Sequence, residues 1–92
     1  MRSFAMEQIP RLRRGFRFQW EPVQNSHVLL YPEGMVKLND SAGAILAEVD
    51  GARSVQLIIA SLEQKYPEAG PLAADVEAFL AEAIRQHWIE WL

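Results

Sequence analysis

Acidic and imidazole side chains are the groups in this sequence that could support acid–base catalysis or hold a metal ion. The two histidines, His27 and His87, lie far apart and form no His-x-x-x-His or His-x-Glu pattern. Four carboxylates in the C-terminal half are spread around a predicted helix without a shared apolar pocket: Asp75, Glu77, Glu82 and Glu90. Cysteine, a Gly-rich phosphate loop and a nucleophile elbow are all missing. We therefore expect no enzyme, no metal ion and no cofactor.

Aromatic side chains at every second position form the next candidate site. Phe16, Phe18 and Trp20 alternate with polar residues, which is typical of a half-buried strand. Such a row could stack nucleic-acid bases, as on sheet-surface RNA binders. Beside a helical layer the same spacing is far more typical of a core, and we interpret it so.

Basic side chains cluster just before this strand, at Arg11, Arg13 and Arg14. The cluster could contact a nucleic acid or an acidic protein partner, and it could equally be a solvated segment. Residues 1–40 carry six basic against four acidic groups, whereas residues 41–92 carry three against eight. Because a phosphate backbone requires a basic surface, the acidic helical half argues against nucleic acid.

Length and composition limit the architecture. Ninety-two residues, half of them apolar, make one globular domain. There is no apolar run of membrane-spanning length, and the N-terminus lacks the apolar core of a secretory signal. We expect a cytoplasmic protein that does not bind membranes.

Three strands are predicted in the first half of the chain. Phe16 to Glu21 alternates, Val28 to Tyr31 is continuously apolar, and Met35 to Leu38 follows a Pro-Glu-Gly turn. Short connections make these strands an antiparallel meander with two open edges.

Three helices are predicted after the strands. The first has Asn39, Asp40 or Ser41 as its cap and ends at Asp50-Gly51. The second follows Ser54 and stops before Pro67, and the third runs from about Leu72 to Trp88. The fold class is therefore α+β, winged-helix-like, with a three-stranded antiparallel sheet followed by three helices. Residues 1–9 are predicted to form a flexible N-terminal arm, and residues 10–92 a single domain.

The third predicted strand has no later strand to pair with, because only helices follow it. A peptide could pair with its free N–H and C=O groups and place side chains in a groove beside a helix. Three classes of protein remain compatible with the residues: a peptide-binding module, a winged-helix nucleic-acid-binding regulator and a structural subunit.

Several ordered motifs resemble the PqqD family, the small peptide chaperones of pyrroloquinoline quinone biosynthesis. The match covers nearly the whole chain after the first eight or nine residues. Its motifs are Pro10-x-Leu12-x-x-Gly15-x-Arg17-x-x-Trp20, Leu29-Leu30-Tyr31-Pro32-Glu33-Gly34, Leu38-Asn39-x-Ser41-Ala42-x-x-Ile45-Leu46 and Asp50-Gly51-x-Arg53-Ser54-Val55. The segments Tyr66-Pro67-Glu68 and Gln86-His87-Trp88-Ile89 match more loosely.

The resemblance implies a non-catalytic domain that binds the ribosomally made precursor peptide PqqA. It also implies presentation of that peptide to PqqE, a radical SAM enzyme that cross-links a Glu and a Tyr side chain. By the same resemblance the peptide adds to the third strand and rests against the third helix. The peptide-binding residues would then be Met35, Val36, Lys37, Leu38, Val76, Phe79, Leu80, Ala83 and Ile84.

Three further expectations accompany the resemblance. Arg11, Arg13 and Arg14 are predicted to dock the partner enzyme, since they are not needed to pack the first strand. The open edges also allow a homodimer formed by strand exchange, with hinges at residues 21–26 or 39–41. Gly43 departs from the alanine usual in the family and is expected to weaken the first helix by about 0.5–1 kcal/mol without touching the binding surface.

Overall fold

The computed structural model describes residues 4–92, which form a three-stranded antiparallel sheet, a second sheet of two short strands, and three helices. The strands are β1 Pro10–Leu12, β2 Arg17–Glu21, β3 Ser26–Tyr31, β4 Gly34–Lys37 and β5 Ile89–Trp91. The helices are α1 Asp40–Leu46, α2 Val55–Lys65 and α3 Ala73–Arg85, with a short 3₁₀ turn at Pro67–Ala69 between the last two. The predicted α+β architecture, a three-stranded antiparallel sheet followed by three helices, is confirmed.

The main sheet has the order β2-β3-β4 and one face toward the helices. Phe18 lies opposite Leu29, and Leu29 lies opposite Val36, so these three side chains share a face. Leu29 is completely buried in the core cluster, and the other two pack against it. Phe16, Phe18 and Trp20 alternate along the chain and share this face as well. Phe16 and Phe18 pack on the core, while Trp20 stays half exposed against the ring of His27.

The first two helices begin where the capping residues predict. Asn39 caps α1 through its Oδ1, which accepts a hydrogen bond from the N–H of Ala42 at 2.8 Å. Ser54 caps α2 by accepting from the N–H of Leu57 at 3.2 Å. The first helix ends at Leu46, before the predicted stop, because the N–H groups of Glu48 and Val49 bond three residues back rather than four.

The C-terminal end of α3 differs from the prediction of a helix to Trp88. Its last helical residue is Arg85, and His87 adopts a left-handed φ of 63°. The N–H of Trp88 then bonds the carbonyl of Ala83 at 2.9 Å, a Schellman-type closure that reverses the chain. The chain continues directly into a strand that the sequence analysis does not predict.

That strand, β5, pairs with β1 in a second, two-stranded antiparallel sheet. Arg11 lies opposite Glu90, and the Nε of Arg11 donates to this carboxylate at 2.9 Å. Arg11 therefore belongs to a strand and not to a segment that precedes the first strand. Two segments of three residues at opposite ends of the chain carry no local strand signal, so only tertiary contact reveals this sheet.

Residues 4–9 of the predicted N-terminal arm lie against the domain. Phe4 is buried, with its ring centroid 4.8 Å from that of Trp91. The carbonyls of Gln8 and Met6 accept from the N–H groups of Val55 and Gln56, which have no partner within α2. The packed part of the chain thus begins before the predicted boundary at residue 10, and residues 1–3 of the arm lie outside the described residues.

A buried carboxylate joins α1 to α2. Glu48 is 2% exposed and accepts from Ser61 Oγ at 2.9 Å, from Lys65 Nζ at 2.5 Å and from the Arg53 guanidinium. Burial raises its pKa, but the hydrogen bonds from Lys65 and Ser61 and the charges of Lys65 and Arg53 outweigh burial. The net effect holds the pKa of Glu48 below its ordinary value. This network ties the segment between α1 and α2 to the body of α2.

Candidate functional site: an open strand edge beside an apolar groove

The outer edge of β4 has no partner strand among residues 4–92. Opposite residues in an antiparallel pair alternate between exchanging hydrogen bonds and not doing so. The N–H of Leu38 donates to the carbonyl of His27 at 3.0 Å, and this bond sets the alternation for the whole strand. The N–H groups of Val36 and Leu38 consequently point to β3, and those of Met35 and Lys37 point to the open edge.

The third strand predicted from the sequence, Met35 to Leu38, corresponds to β4, and its four residues differ in the surface they expose to a bound peptide. Met35 is 43% exposed and Lys37 is exposed, with both side chains on the face away from the helices. Val36 is half-buried, and Leu38 is buried in the core. Leu38 offers little to a guest, because its N–H bonds β3 and its side chain is buried.

The five predicted residues of α3 divide in a similar way. Val76, Leu80 and Ala83 are at most 1% exposed and belong to the core, whereas Phe79 and Ile84 are half-buried. The apolar stripe found in the sequence is therefore mainly the packing face of the helix. Leu80 and Ala83 hold α3 in place and present no surface to a guest in this conformation.

A groove of about 650 Å³ opens between α1 and the N-terminal half of α3, with the end of α2 as its third side. Its apolar wall comes from Ala44, Ile45, Leu62, Tyr66, Leu72, Val76 and Phe79. Asn39 and Asp40, which follow β4 by two and three residues, line the groove on one side, and Asp75 lines it from α3.

Sequence reasoning placed only Val76 and Phe79 of this groove in the binding site. Ile45, Leu62 and Tyr66 occur at helical spacing, which by itself indicates a packing face and not a binding site. Leu72 marks only the start of a predicted helix, and Asp75 is one of four carboxylates spread around it. The available clue was that the apolar faces of these helices are wider than a core of this size needs.

The predicted docking arginines do not form one cluster. Arg11 pairs with Glu90 across the two-stranded sheet, while Arg13 and Arg14 are exposed in and beside the turn that follows β1. The backbone N–H of Arg13 bonds the carbonyl of Trp88 at 2.9 Å, so only its side chain is free to reach outward. Neither Arg13 nor Arg14 forms an ion pair within the described part of the chain.

The outer edge of β2 is the second open edge, as predicted. By the same alternation the N–H groups of Phe18 and Trp20 point away from β3. Trp20 is 50% exposed, and Val23 in the following turn is 91% exposed. The groove described above is not lined by any residue of this strand.

Two other kinds of site were sought among residues 4–92. No group of three His, Asp or Glu side chains is placed to ligate a metal ion. None of the helices has the length and apolar character required to cross a membrane.

An open strand edge next to an apolar groove beside a helix defines a small α+β domain of the kind that binds extended peptides by strand addition. The sequence model of the family "Coenzyme PQQ synthesis protein D (PqqD)" matches residues 26–89. The chain belongs to the PqqD family.

Curated relatives and one solved structure agree with this assignment. A PqqA binding protein of Stutzerimonas stutzeri is 58% identical over 90 residues, and one of Azotobacter vinelandii is 59% identical over 90 residues; each alignment covers 98% of both chains. The solution NMR structure of the PqqD truncation of Methylobacterium extorquens PqqCD matches with a TM-score of 0.78 and 39% identity, covering 96% of this chain and 95% of that one. That protein is described as a functional, stand-alone recognition element for ribosomally synthesised and post-translationally modified peptides.

Proposed function

We propose that this protein is a non-catalytic chaperone that binds the precursor peptide PqqA by adding it as a strand to the open edge of β4. The observation that carries the proposal is the pair of outward N–H groups at Met35 and Lys37, next to a groove that begins where β4 ends. Relatives that cover nearly the whole chain are named for PqqA binding.

The charges on α3 favour a peptide over a nucleic acid. A winged-helix nucleic-acid-binding regulator, the alternative function, needs basic side chains on the helix that enters the groove of the duplex. Within α3 the only basic residue is Arg85, and its guanidinium is paired with Glu82. Asp75 and Glu77 add further negative charge to the same helix.

The position of the groove favours β4 over β2 as the receiving edge. No residue of β4 itself lines the groove, but Asn39 and Asp40 follow the strand by two and three residues and do line it. An extended guest that continues past the end of β4 can therefore place side chains against the apolar surface of α1 and α3. The β2 edge offers backbone groups and Trp20 but borders no such groove. Backbone bonds alone give affinity without sequence preference, so a recognition domain gains most from the β4 edge.

The second step of the proposed function is presentation of the bound peptide to the radical SAM enzyme PqqE. Because the peptide is made by the ribosome, we place both encounters in the cytoplasm. Arg13 and Arg14 are exposed and do not line the groove. The backbone N–H of Arg13 bonds Trp88, beyond the C-terminal end of α3, whereas the groove lies at the N-terminal half of that helix, which leaves a separate surface for the enzyme.

Amide hydrogen exchange with and without PqqA tests the strand addition. The N–H groups of Val36 and Leu38 are bonded within the sheet already, so their exchange should be slow in both states. Those of Met35 and Lys37 should exchange fast in the free protein and slow down when the peptide is bound. Slowing at Phe18 and Trp20 instead would move the binding site to β2, and no change at either edge would contradict strand addition.

Strand exchange between two copies remains a second proposal that uses the same edge. If a homodimer forms by exchange at residues 21–26 or 39–41, PqqA should compete with it, since both occupy β4. Light scattering over a dilution series with and without PqqA measures this. A mass that changes with neither dilution nor peptide contradicts the competition.

A further inference from the structure

The groove is lined by residues that follow the end of β4. Asn39 and Asp40 are the next residues after Lys37 and Leu38, and both line the groove. An extended chain advances about 3.3 Å per residue. A guest paired with β4 therefore reaches the groove within a few residues of its last backbone bond to the strand.

The interior of the groove fits bulky apolar side chains. Its volume of about 650 Å³ falls in the range of ~300–1,000 Å³ typical of ligand pockets. Tyr66 is 48% exposed and Phe79 is half-buried, so two aromatic rings offer surface that the core does not use. Burial of an apolar side chain between them would stabilise the complex through lost water contact.

The charged groups on the groove are acidic. Among residues 4–92, Asp40 and Asp75 are the charged residues that line it, and both are exposed. Neither forms an ion pair with another described residue. Lys65, the nearest cation on α2, is bound to Glu48.

From this geometry we infer that the groove is a specificity site that takes a bulky apolar side chain of the guest peptide flanked by a lysine or arginine. Asp40 and Asp75 select the cation, and the rings of Tyr66 and Phe79 hold the apolar side chain. This inference rests on the proposed function, because the guest must reach the groove from the β4 edge. It adds the chemical class of peptide that the protein prefers.

A structural role for the two aspartates makes a different prediction. Each lies in the first turn of a helix, where a carboxylate interacts favourably with the helix dipole. If that is their whole function, Asp40→Asn and Asp75→Asn lower stability slightly and leave peptide affinity unchanged. Selection of a cation instead couples each aspartate to the charge of the peptide.

Fluorescence anisotropy with labelled PqqA, and with a version in which every lysine and arginine is glutamine, separates the two roles. At low salt we expect each single variant to bind PqqA roughly two- to five-fold more weakly, and the double variant about ten-fold more weakly. These losses should shrink at high salt and vanish with the neutral peptide. Glu7→Gln, which removes an exposed carboxylate near the opposite end of α2, is the matched control and should change nothing.

A second pair of variants tests the apolar part of the groove. Ala78→Trp adds a large ring at the groove wall, and Ala81→Trp adds the same ring to α3 at an exposed position outside it. PqqA affinity should fall more than ten-fold in the first and stay unchanged in the second. The inference is overturned if the two tryptophan variants bind PqqA equally well, or if the aspartate variants bind PqqA as tightly as the native protein does. Failure of the unaltered protein to bind PqqA overturns the proposed function itself.

Discussion

Gly43 of α1 lies so close to His27 of β3 that a Cβ at position 43 would be 2.9 Å from Nδ1 and 3.3 Å from Cβ of the histidine. The histidine ring cannot easily give way, because it stacks on Phe18 at 4.7 Å and meets Trp20 edge-on at 5.1 Å. Gly43 is thus a packing requirement of the contact between helix and sheet. From sequence alone Gly43 indicates only a weakness of the helix.

Replacement of Gly43 by alanine should therefore destabilise the protein. Alanine would ordinarily gain about 0.5–1 kcal/mol in a helix. Here the clash with His27 should reverse the sign, for a net loss of about 1–2 kcal/mol in the free energy of unfolding by urea. In a His27→Ala background the same change should become stabilising. A gain in the native background would show that α1 can move away from β3 at little cost.

Proline substitution along β4 should separate folding from peptide binding. At Val36 and Leu38 it removes a bond to β3, so stability should fall by about 1–3 kcal/mol. At Met35 and Lys37 the fold should survive, since the missing donor faces solvent. PqqA affinity there should fall by about 1–3 kcal/mol, or roughly 5- to 150-fold in Kd. Thermal melting and peptide titration of the four variants measure both effects, and a swapped pattern would contradict the assigned alternation.

The Glu48 network should make stability depend on pH. The pKa of Glu48 is lower in the folded than in the unfolded protein, so its contribution is full above the ordinary carboxyl pKa of about 4.5. The contribution is then lost as the pH falls through the folded pKa. Glu48→Gln should cost about 1–2 kcal/mol at pH 7 and little at the acid end of the range. Urea titrations at several pH values measure this. The control is Glu33→Gln, in an exposed turn, which should leave the free energy of unfolding unchanged at every pH.

The exposed arginines beside the β1–β2 turn should matter for the enzyme and not for the peptide. Charge at the rim of an interface chiefly raises the association rate and is screened by salt. Arg13→Glu with Arg14→Glu should weaken PqqE association several-fold at low salt, while PqqA affinity stays nearly unchanged. Arg85→Glu on α3 is the control for a charge reversal elsewhere on the surface. Surface plasmon resonance against both partners would refute the assignment if peptide affinity collapsed and enzyme association survived.

Arg11 should behave differently from its two neighbours because it is held in the β1–β5 sheet by Glu90. The sequence grouped all three arginines by proximity along the chain. The structure separates them according to which of them already has a partner.

The sequence by itself determined the order of the three strands of the main sheet and the three helices. Apolar spacing of two and of three to four residues indicated these strands and helices, and candidate caps at Asn39 to Ser41 and at Ser54 indicated where two helices begin. These signals are local: each depends on hydrogen bonds and side-chain contacts within a few residues of the chain.

Only the tertiary structure decided which surfaces remain free. The β1–β5 sheet joins Arg11 to Glu90 across 79 positions of sequence, and no local pattern predicts such a pairing. An apolar stripe on α3 looks the same in sequence whether its residues are core, like Leu80, or line a groove, like Phe79. The outward direction of the Met35 and Lys37 amides likewise depends on the register with β3, because side-chain spacing gives the period of a strand but not the edge to which each N–H points.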